Sequence, residues 1–399
     1  MNGSFKAVRV TDHVWWVGAL DWNLREFHGY TTERGTTYNA FLVVGDAITL
    51  IDAVKAPFKD EMLARVASVC DPDDVRYIVS NHSEMDHSGC LPALVDQLKP
   101  EKVFASVNGV KALEAHFGAV DHLEAVKDGQ ELGLGGLHFS FYETRMLHWP
   151  DSMVTLLAED KLLFSQDAFG MHLASGERFA DEIDASILEQ EARKYFANIL
   201  MPFAGLVPRT IQRLGGLDFK IIAPDHGPIW REEPAHIVGR YAAWAAQRPT
   251  TKAVIVYDTM WGSTDMMAHA LAEGVISGGA EAKLMPLREH SRSAVATEVL
   301  EAGALAIGSP TLNNQVFPTV ADVMTYLLGL GPKNLIGVAF GSYGWSGNAV
   351  SLLNGQLDAM GIERIHDGLS VQYVPNRAAL DDCRRLGVQL AEALKVRVR

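Results

Sequence analysis

Within six residues, His82, Ser83, Glu84, Met85, Asp86 and His87, the chain carries four side chains able to hold a metal, and no other stretch limits its chemistry as sharply. The cluster sits between the apolar run Val75 to Ser80 and the helix-like stretch Gly89 to Leu98. A strand that hands over to a helix in this way puts the intervening loop at the C-terminal end of the strand, where α/β folds gather ligands. Imidazole together with carboxylate suits a hard-to-borderline transition metal, and two carboxylates beside two histidines exceed what one small ion needs. The cluster therefore reads as part of a two-metal site. Taken by itself, the same loop could cap the following helix with its histidines and turn Glu84 and Asp86 to water.

Three further segments weigh against that plainer reading: Leu147 to Asp151 with His148, Ser165 to Ala168 with Asp167, and Ala223 to Gly227 with His226. Each follows an extended run, Phe139 to Met146, Lys161 to Ser165 and Phe219 to Ile222 respectively, so all three could approach one rim as strand-end loops. The candidate metal ligands are thus His82, Glu84, Asp86, His87, His148, Asp167 and His226.

Around these loops, Val8 to Leu20 and Thr37 to Val54 alternate β-formers with turn residues, as hairpin strands do. Phe58 to Val69 and Gly109 to Phe117 are helix-like, Val103 to Ala105 is extended, and His122 to Phe169 is rich in strand formers. This fits a sandwich of two sheets with outer helices. From Ala185 to Leu214 the pattern turns helical, and a further helix is expected over His236 to Gln247. Arg248 to Thr251 then reads as a linker, because Pro249 breaks helices and polar neighbours tolerate exposure. The expected domains are 1–249 and 250–399.

Beyond the linker the pattern resets. Lys252 to Tyr257 is a β-branched run, Asp265 to Ser277 is helical, Ala282 to Leu287 is extended, and about five such alternations make a doubly wound parallel sheet of the α/β class. At the end of the first strand stand Thr259, Met260, Trp261, Gly262, Ser263 and Thr264, directly before a helix. Hydroxyls and N–H groups at a helix N-terminus cradle an anion, and this loop suits one terminal phosphate. It is neither a dinucleotide fingerprint nor a Walker loop. Two other strand-end loops agree with it. Ser309, Pro310, Thr311, Leu312, Asn313 and Asn314 could hydrogen-bond the edge of a flavin ring, and Ser342, Tyr343, Gly344, Trp345, Ser346 and Gly347 could stack on its face.

The ligand order resembles the metallo-β-lactamase superfamily, whose loop reads His, any residue, His, any residue, Asp, His and whose later ligands are His, Asp and His. Glu84 stands where hydrolases of that superfamily place their second histidine, and an anionic oxygen there favours iron over zinc. With Glu84, the motif Met146 to Asp151 and the flavodoxin-like second half, nearly the whole chain resembles the flavodiiron proteins. That resemblance implies an N-terminal metallo-β-lactamase-like αββα sandwich joined to a flavodoxin-like domain, with FMN and two iron ions as cofactors and Trp345 as the neighbour of the flavin ring. It implies one iron on His82, Glu84 and His148, the other on Asp86, His87 and His226 with water as the alternative to His87, and Asp167 as the bridge. Tyr195, in the segment Lys194 to Ile199, resembles a family tyrosine near the irons, and His28, in Arg25 to Tyr30, a family histidine lining the pocket above them; these are the candidate catalytic side chains. The implied activity is reduction of O2 to water or NO to N2O with electrons from a separate donor such as rubredoxin. The implied assembly is a head-to-tail homodimer, or a tetramer built from such dimers.

Composition narrows the partners. A net charge of −14 with no long basic run argues against nucleic acid and against an anionic membrane surface. Met1 to Val10 lacks the apolar core of a signal peptide and no later run is long and charge-free enough to span a bilayer, so the expected location is cytoplasmic. The three cysteines Cys70, Cys90 and Cys383 are far apart, which provides neither a disulfide framework nor the paired cysteines of a fused rubredoxin. Two other classes stay open here: a zinc hydrolase with an appended flavin module, against which Glu84 speaks, and an electron carrier without catalysis.

Overall fold

Successive side chains of a strand point to opposite faces, and in the computed structural model of the chain, which describes residues 5–398, that alternation feeds separate cores. Two compact units are present, Met1–Tyr195 with Gly205–Ala242, and Phe196–Ala204 with Ala243–Arg399.

In the first unit one sheet runs in the order Val8–Arg9, Val14–Trp16, Phe41–Val44, Ile48–Ile51, Val75–Ser80, Lys102–Ser106, Leu123–Val126, parallel from Ile48–Ile51 onward. A second sheet runs Glu131–Leu134, Leu137–Glu143, Met153–Leu157, Leu162–Gln166, Ile221–Pro224. Leu42, Leu50, Ile78 and Val103 of the first sheet pack with Met62, Val66, Leu94 and Leu113 of the helices Lys59–Val66, Leu91–Leu98 and Val107–Phe117. Their chain neighbours Phe41, Ile51, Val79 and Phe104 face the other way, into Phe139, Phe141, Leu157 and Phe164 of the second sheet. Burial on both faces accounts for the apolar composition of Phe41–Val44 and Ile48–Ile51. The result is a two-sheet sandwich with outer helices.

The second unit is one parallel sheet in the order Glu281–Pro286, Lys252–Tyr257, Ala304–Gly308, Ile336–Tyr343, with Glu363–Arg364 and Leu369–Gln372 both pairing with the last of these. The order reverses between Lys252–Tyr257 and Ala304–Gly308, and such a switch point opens a crevice for a ligand. On one face helix Ser263–Ser277 packs against the long helix Arg377–Val398. Their approach is too close for side chains: a Cβ on Gly274 would lie 2.1 Å from the Arg384 carbonyl oxygen, and one on Gly387 2.1 Å from that of Leu271.

Three local expectations change. The helical stretch 185–214 is α-helix over Ala185–Tyr195, then π-helix Phe196–Leu200 and 3-10 helix Met201–Leu206, before α-helix resumes at Val207–Leu214. Pro202 lacks the N–H that an α-helix would need there, so the hydrogen-bond ladder shifts register around it. Ser342 and Tyr343 belong to a strand rather than a loop, because Ile336–Tyr343 is extended by pairing with Leu369–Gln372. Inside the metal-type cluster, Met85–Ser88 forms a single helical turn. Among the described residues no helix is long and apolar enough to cross a membrane.

Candidate functional site

Four strand ends deliver the candidate ligands. His82 and Glu84 follow Val75–Ser80, with Asp86 and His87 on the helical turn just after; His148 lies on the loop after Leu137–Glu143; Asp167 follows Leu162–Gln166, and His226 follows Ile221–Pro224. All are buried except His148, which is partly so. The side chains converge as two groups, His82 with Glu84, His148 and Asp167, and Asp86 with His87 and His226, the ligand atoms in each lying within 4.8 Å of one another.

In the first group Glu84 Oε2 is 3.1 Å from His82 Nε2 and 3.3 Å from His148 Nε2. In the second, Asp86 Oδ2 is 3.1 Å from His226 Nε2 and 3.4 Å from His87 Nε2, and the two imidazole Nε2 atoms are 3.1 Å apart. Asp167 joins the groups. Its Oδ2 lies 2.9 Å from His148 Nε2 and 3.2 Å from His82 Nε2, while its Oδ1 lies 3.3 Å from His87 Nε2 and 3.5 Å from His226 Nε2. His87 thus stands within the second group.

A layer of polar contacts behind the ligands fixes which nitrogen faces inward. His226 Nδ1 is 2.6 Å from the Thr37 carbonyl oxygen, so it carries the proton and leaves Nε2 as a lone pair. His87 Nδ1 faces Asp225 at 3.6 Å, and His82 Nδ1 faces Asp151 at 3.7 Å. Asp151 is itself held by the Ser83 N–H at 2.7 Å. Gln166 ties two loops together: its amide donates to the Leu147 carbonyl oxygen at 2.5 Å, and its side-chain oxygen accepts from Asp167 N–H at 2.7 Å. The amide of Asn39 brackets His226, donating to the carbonyl oxygens of Pro224 at 2.6 Å and Gly227 at 2.9 Å.

These residues fit metal ions. Donor atoms about 2.1 Å from one ion sit roughly 3.0–3.4 Å apart, which is the spacing of the groups. The lone pair of His226 Nε2 faces a carboxylate oxygen and a second imidazole nitrogen at hydrogen-bond distance, an arrangement that a cation between them makes favourable. Both oxygens of Asp86 and Oδ1 of Asp167 are buried and accept no hydrogen bond among the described residues, a costly condition for a carboxylate without a counter-charge. Burial favours protonation of Asp167, yet the imidazoles of His87, His148 and His82 hold it well below the ordinary carboxylate range. For His87, burial opposes charge, but Asp86, Asp225 and Asp167 raise its pKa to about 10. The centre is built around ionised carboxylates that call for positive charge.

Both candidate residues beyond the ligands lie close by. His28 Nε2 is 2.5 Å from Glu84 Oε1, and the Tyr195 ring, almost fully buried, stands 6.2 Å from that of His226. His172, which belongs to none of the metal-type motifs, packs beside both, its ring 4.6 Å from His226, 5.1 Å from Tyr195 and 4.9 Å from Phe27. Its one signal in the sequence was a place in the loop that begins at Asp167. Asn39 and Gln166 gave no such signal, because buried amides act through partners that only the fold brings to them.

The second unit gathers its three candidate loops at the strand ends. Helix Ser263–Ser277 opens at Gly262 in a left-handed turn, φ +86°, a conformation that favours glycine and leaves the N–H groups of the first helical turn open to an anion. Thr259 shapes that turn, its hydroxyl accepting from Gly262 N–H at 3.0 Å. The buried hydroxyl of Thr264 meets that of Ser342 at 2.9 Å, and Thr311 N–H donates to the Ser342 carbonyl oxygen at 2.9 Å, so the strand residue Ser342 ties all three loops together. Ser309 bonds within its own loop, accepting from Phe317 N–H at 2.8 Å, while Asn313 and Asn314 turn the chain at positive φ. Trp261 and Trp345 are 89% and 91% exposed, which removes both from any core. Two indoles left in water beside an anion cradle fit a planar cofactor with a terminal phosphate, such as FMN.

The model of the ODP family beta lactamase matches residues 36–227, and that of Flavodoxin matches residues 255–387. A protein of Moorella thermoacetica named nitric oxide reductase is 45% identical over 390 residues, spanning 96% of this chain and 98% of its own length. The solved rubredoxin oxygen:oxidoreductase of Desulfovibrio gigas aligns with a TM-score of 0.96 at 44% identity, covering 98% of this chain and 100% of the other. The flavodiiron protein of Giardia intestinalis aligns with a TM-score of 0.97 at 32% identity, covering 100% of this chain and 99% of the other.

Proposed function

The chain belongs to the flavodiiron protein family, and on that premise we propose that its two ligand groups and three strand-end loops are the working parts of a reductase for O2 and NO, producing water and N2O. It is an oxidoreductase with FMN and a di-iron centre, and rubredoxin is the class of external donor that its relatives' names indicate. The observation that carries the site assignment is Asp167, one carboxylate presenting one oxygen to each ligand group. His82, Glu84 and His148 would hold one iron, Asp86, His87 and His226 the other. Bound there, FMN and the two irons would supply the electron-transfer chemistry that reduction of a diatomic molecule needs and that these side chains lack.

The protein's own side chains manage protons, which both reductions consume. The hydrogen bond to Glu84 raises the pKa of His28, and a side chain 55% exposed can exchange its Nε2 proton with solvent. Burial keeps the Tyr195 phenol protonated far above its ordinary range, so it acts as an O–H donor. Burial keeps His172 neutral. A zinc hydrolase with a flavin module is not favoured. Metal and flavin analysis of the purified protein is expected to give about two irons and one FMN per chain, with O2 or NO consumption on addition of reduced rubredoxin. Stoichiometric zinc with no reductase turnover would reject the reading.

We place the electron route across a head-to-tail homodimer, each flavin loop set beside the metal centre of the other copy. Exposed Trp261, Trp345 and Tyr373 on the flavin unit, and exposed Trp22 and Met85 on the metal unit, are the large side chains such an interface would cover. An isologous contact creates two short routes at once. Asp167→Ala should lack iron, and Thr264→Asp should lack FMN by setting a negative charge where the phosphate belongs. Mixed and allowed to exchange subunits, the two inactive variants should recover about a quarter of wild-type turnover, since half the dimers are hybrids with one complete pair of sites. A fully active monomer by light scattering, or no recovery despite exchange, would reject the arrangement.

A further inference from the structure

A cleft of about 290 Å3 opens beside the loop that carries His148, lined by Asp128, Glu143, Thr144, Arg145, Arg209 and Arg213 among others. Arg145 is paired with Glu143 at 2.6 Å. Arg213 is paired with Asp128 and also donates to the Glu143 carbonyl oxygen at 3.2 Å. Arg209, on helix Val207–Leu214, has no carboxylate partner among the described residues. Three guanidiniums against two carboxylates leave one positive charge in the cleft, on a chain whose net charge is −14. A second observation is independent of charge. Thr144 is 3% exposed, and its hydroxyl finds no hydrogen-bond partner among the described residues, an unfavourable state for a buried polar group unless a ligand satisfies it.

We propose that this cleft binds a small oxyanion of the phosphate type, held by the free guanidinium of Arg209 together with the hydroxyls of Thr144 and Thr210. Guanidinium offers a planar fork that matches a tetrahedral oxyanion, and threonine hydroxyls donate to its remaining oxygens. Thr144 also anchors the His148 loop, its N–H donating to the Ser152 carbonyl oxygen at 2.8 Å and its carbonyl oxygen accepting from Leu147 N–H at 3.0 Å. The anion therefore sits at the base of that loop without touching a metal ligand.

The test is titration of the iron- and FMN-loaded protein with inorganic phosphate, followed by calorimetry and 31P line broadening. Saturable binding is expected in the wild type, weakened about tenfold or more in Arg209→Gln and several-fold in Thr144→Val. Iron and FMN contents should be retained in both. Should Arg209→Gln not hold its cofactors, Arg209→Lys keeps the charge without the fork and should bind with intermediate affinity. No saturable binding up to about 20 mM phosphate in the wild type, or the same affinity in the wild type and the Arg209 variants, would overturn the proposal.

Discussion

Glu84→His is expected to exchange iron for zinc and to lower reductase turnover by about a thousandfold or more, since zinc has no redox chemistry to offer. Glu84 is one of the two carboxylates of the first ligand group, 3.1 Å from His82 and 3.3 Å from His148. Burial opposes its charge, but His148, His28 and His82 together hold the carboxyl far below its ordinary range, so the site presents a full negative oxygen donor. A third imidazole in its place would give the neutral nitrogen-rich set that suits zinc. It would also remove the partner that raises the pKa of His28. Metal analysis of protein expressed with both metals available, alongside turnover with reduced rubredoxin, decides the matter. Unchanged iron content with intact turnover would remove Glu84 from the ligand set.

Asp167→Ala is expected to reduce iron from about two per chain to well below one and to abolish turnover, because its carboxylate presents one oxygen to each group. Four imidazoles face this carboxylate, two on each oxygen. Its removal leaves them without the negative charge that draws two cations together. Asp167→Asn keeps the shape of the side chain while losing the charge, so it separates a packing effect from an electrostatic one. Both variants should retain FMN, since every side chain assigned to the flavin belongs to the other compact unit. Retention of two irons and full activity in Asp167→Asn would show that the bridge is not electrostatic.

Both expectations depend on how the fold aims side chains. The helical turn Met85–Ser88 carries Asp86 and His87 away from the direction taken by Glu84, so one short segment serves both groups. Gln166, Asp151 and Asn39 then fix the loops on which the other ligands ride.

What the sequence determined by itself was the chemistry available. The spacing within 82–87 and the later His148, Asp167 and His226 specify imidazole and carboxylate donors that suit a hard-to-borderline transition metal. The strand and helix alternation beyond Lys252 specifies a parallel sheet with loops at one end. The hydroxyl-rich loop before Ser263 specifies an anion cradle. These are local properties of composition and periodicity. Only the tertiary structure decided which donors share an ion, because that depends on where each Cβ points after the chain has turned. Asp167 facing two imidazoles on each oxygen, His172 packed between Tyr195 and His226, and Ser342 in a strand that ties three loops together all arise from contacts between segments far apart in the chain. The exposure of Trp345 has the same origin: an aromatic in a glycine-rich loop has no periodicity to assign its face, and its 91% exposure is set by how the surrounding strands end.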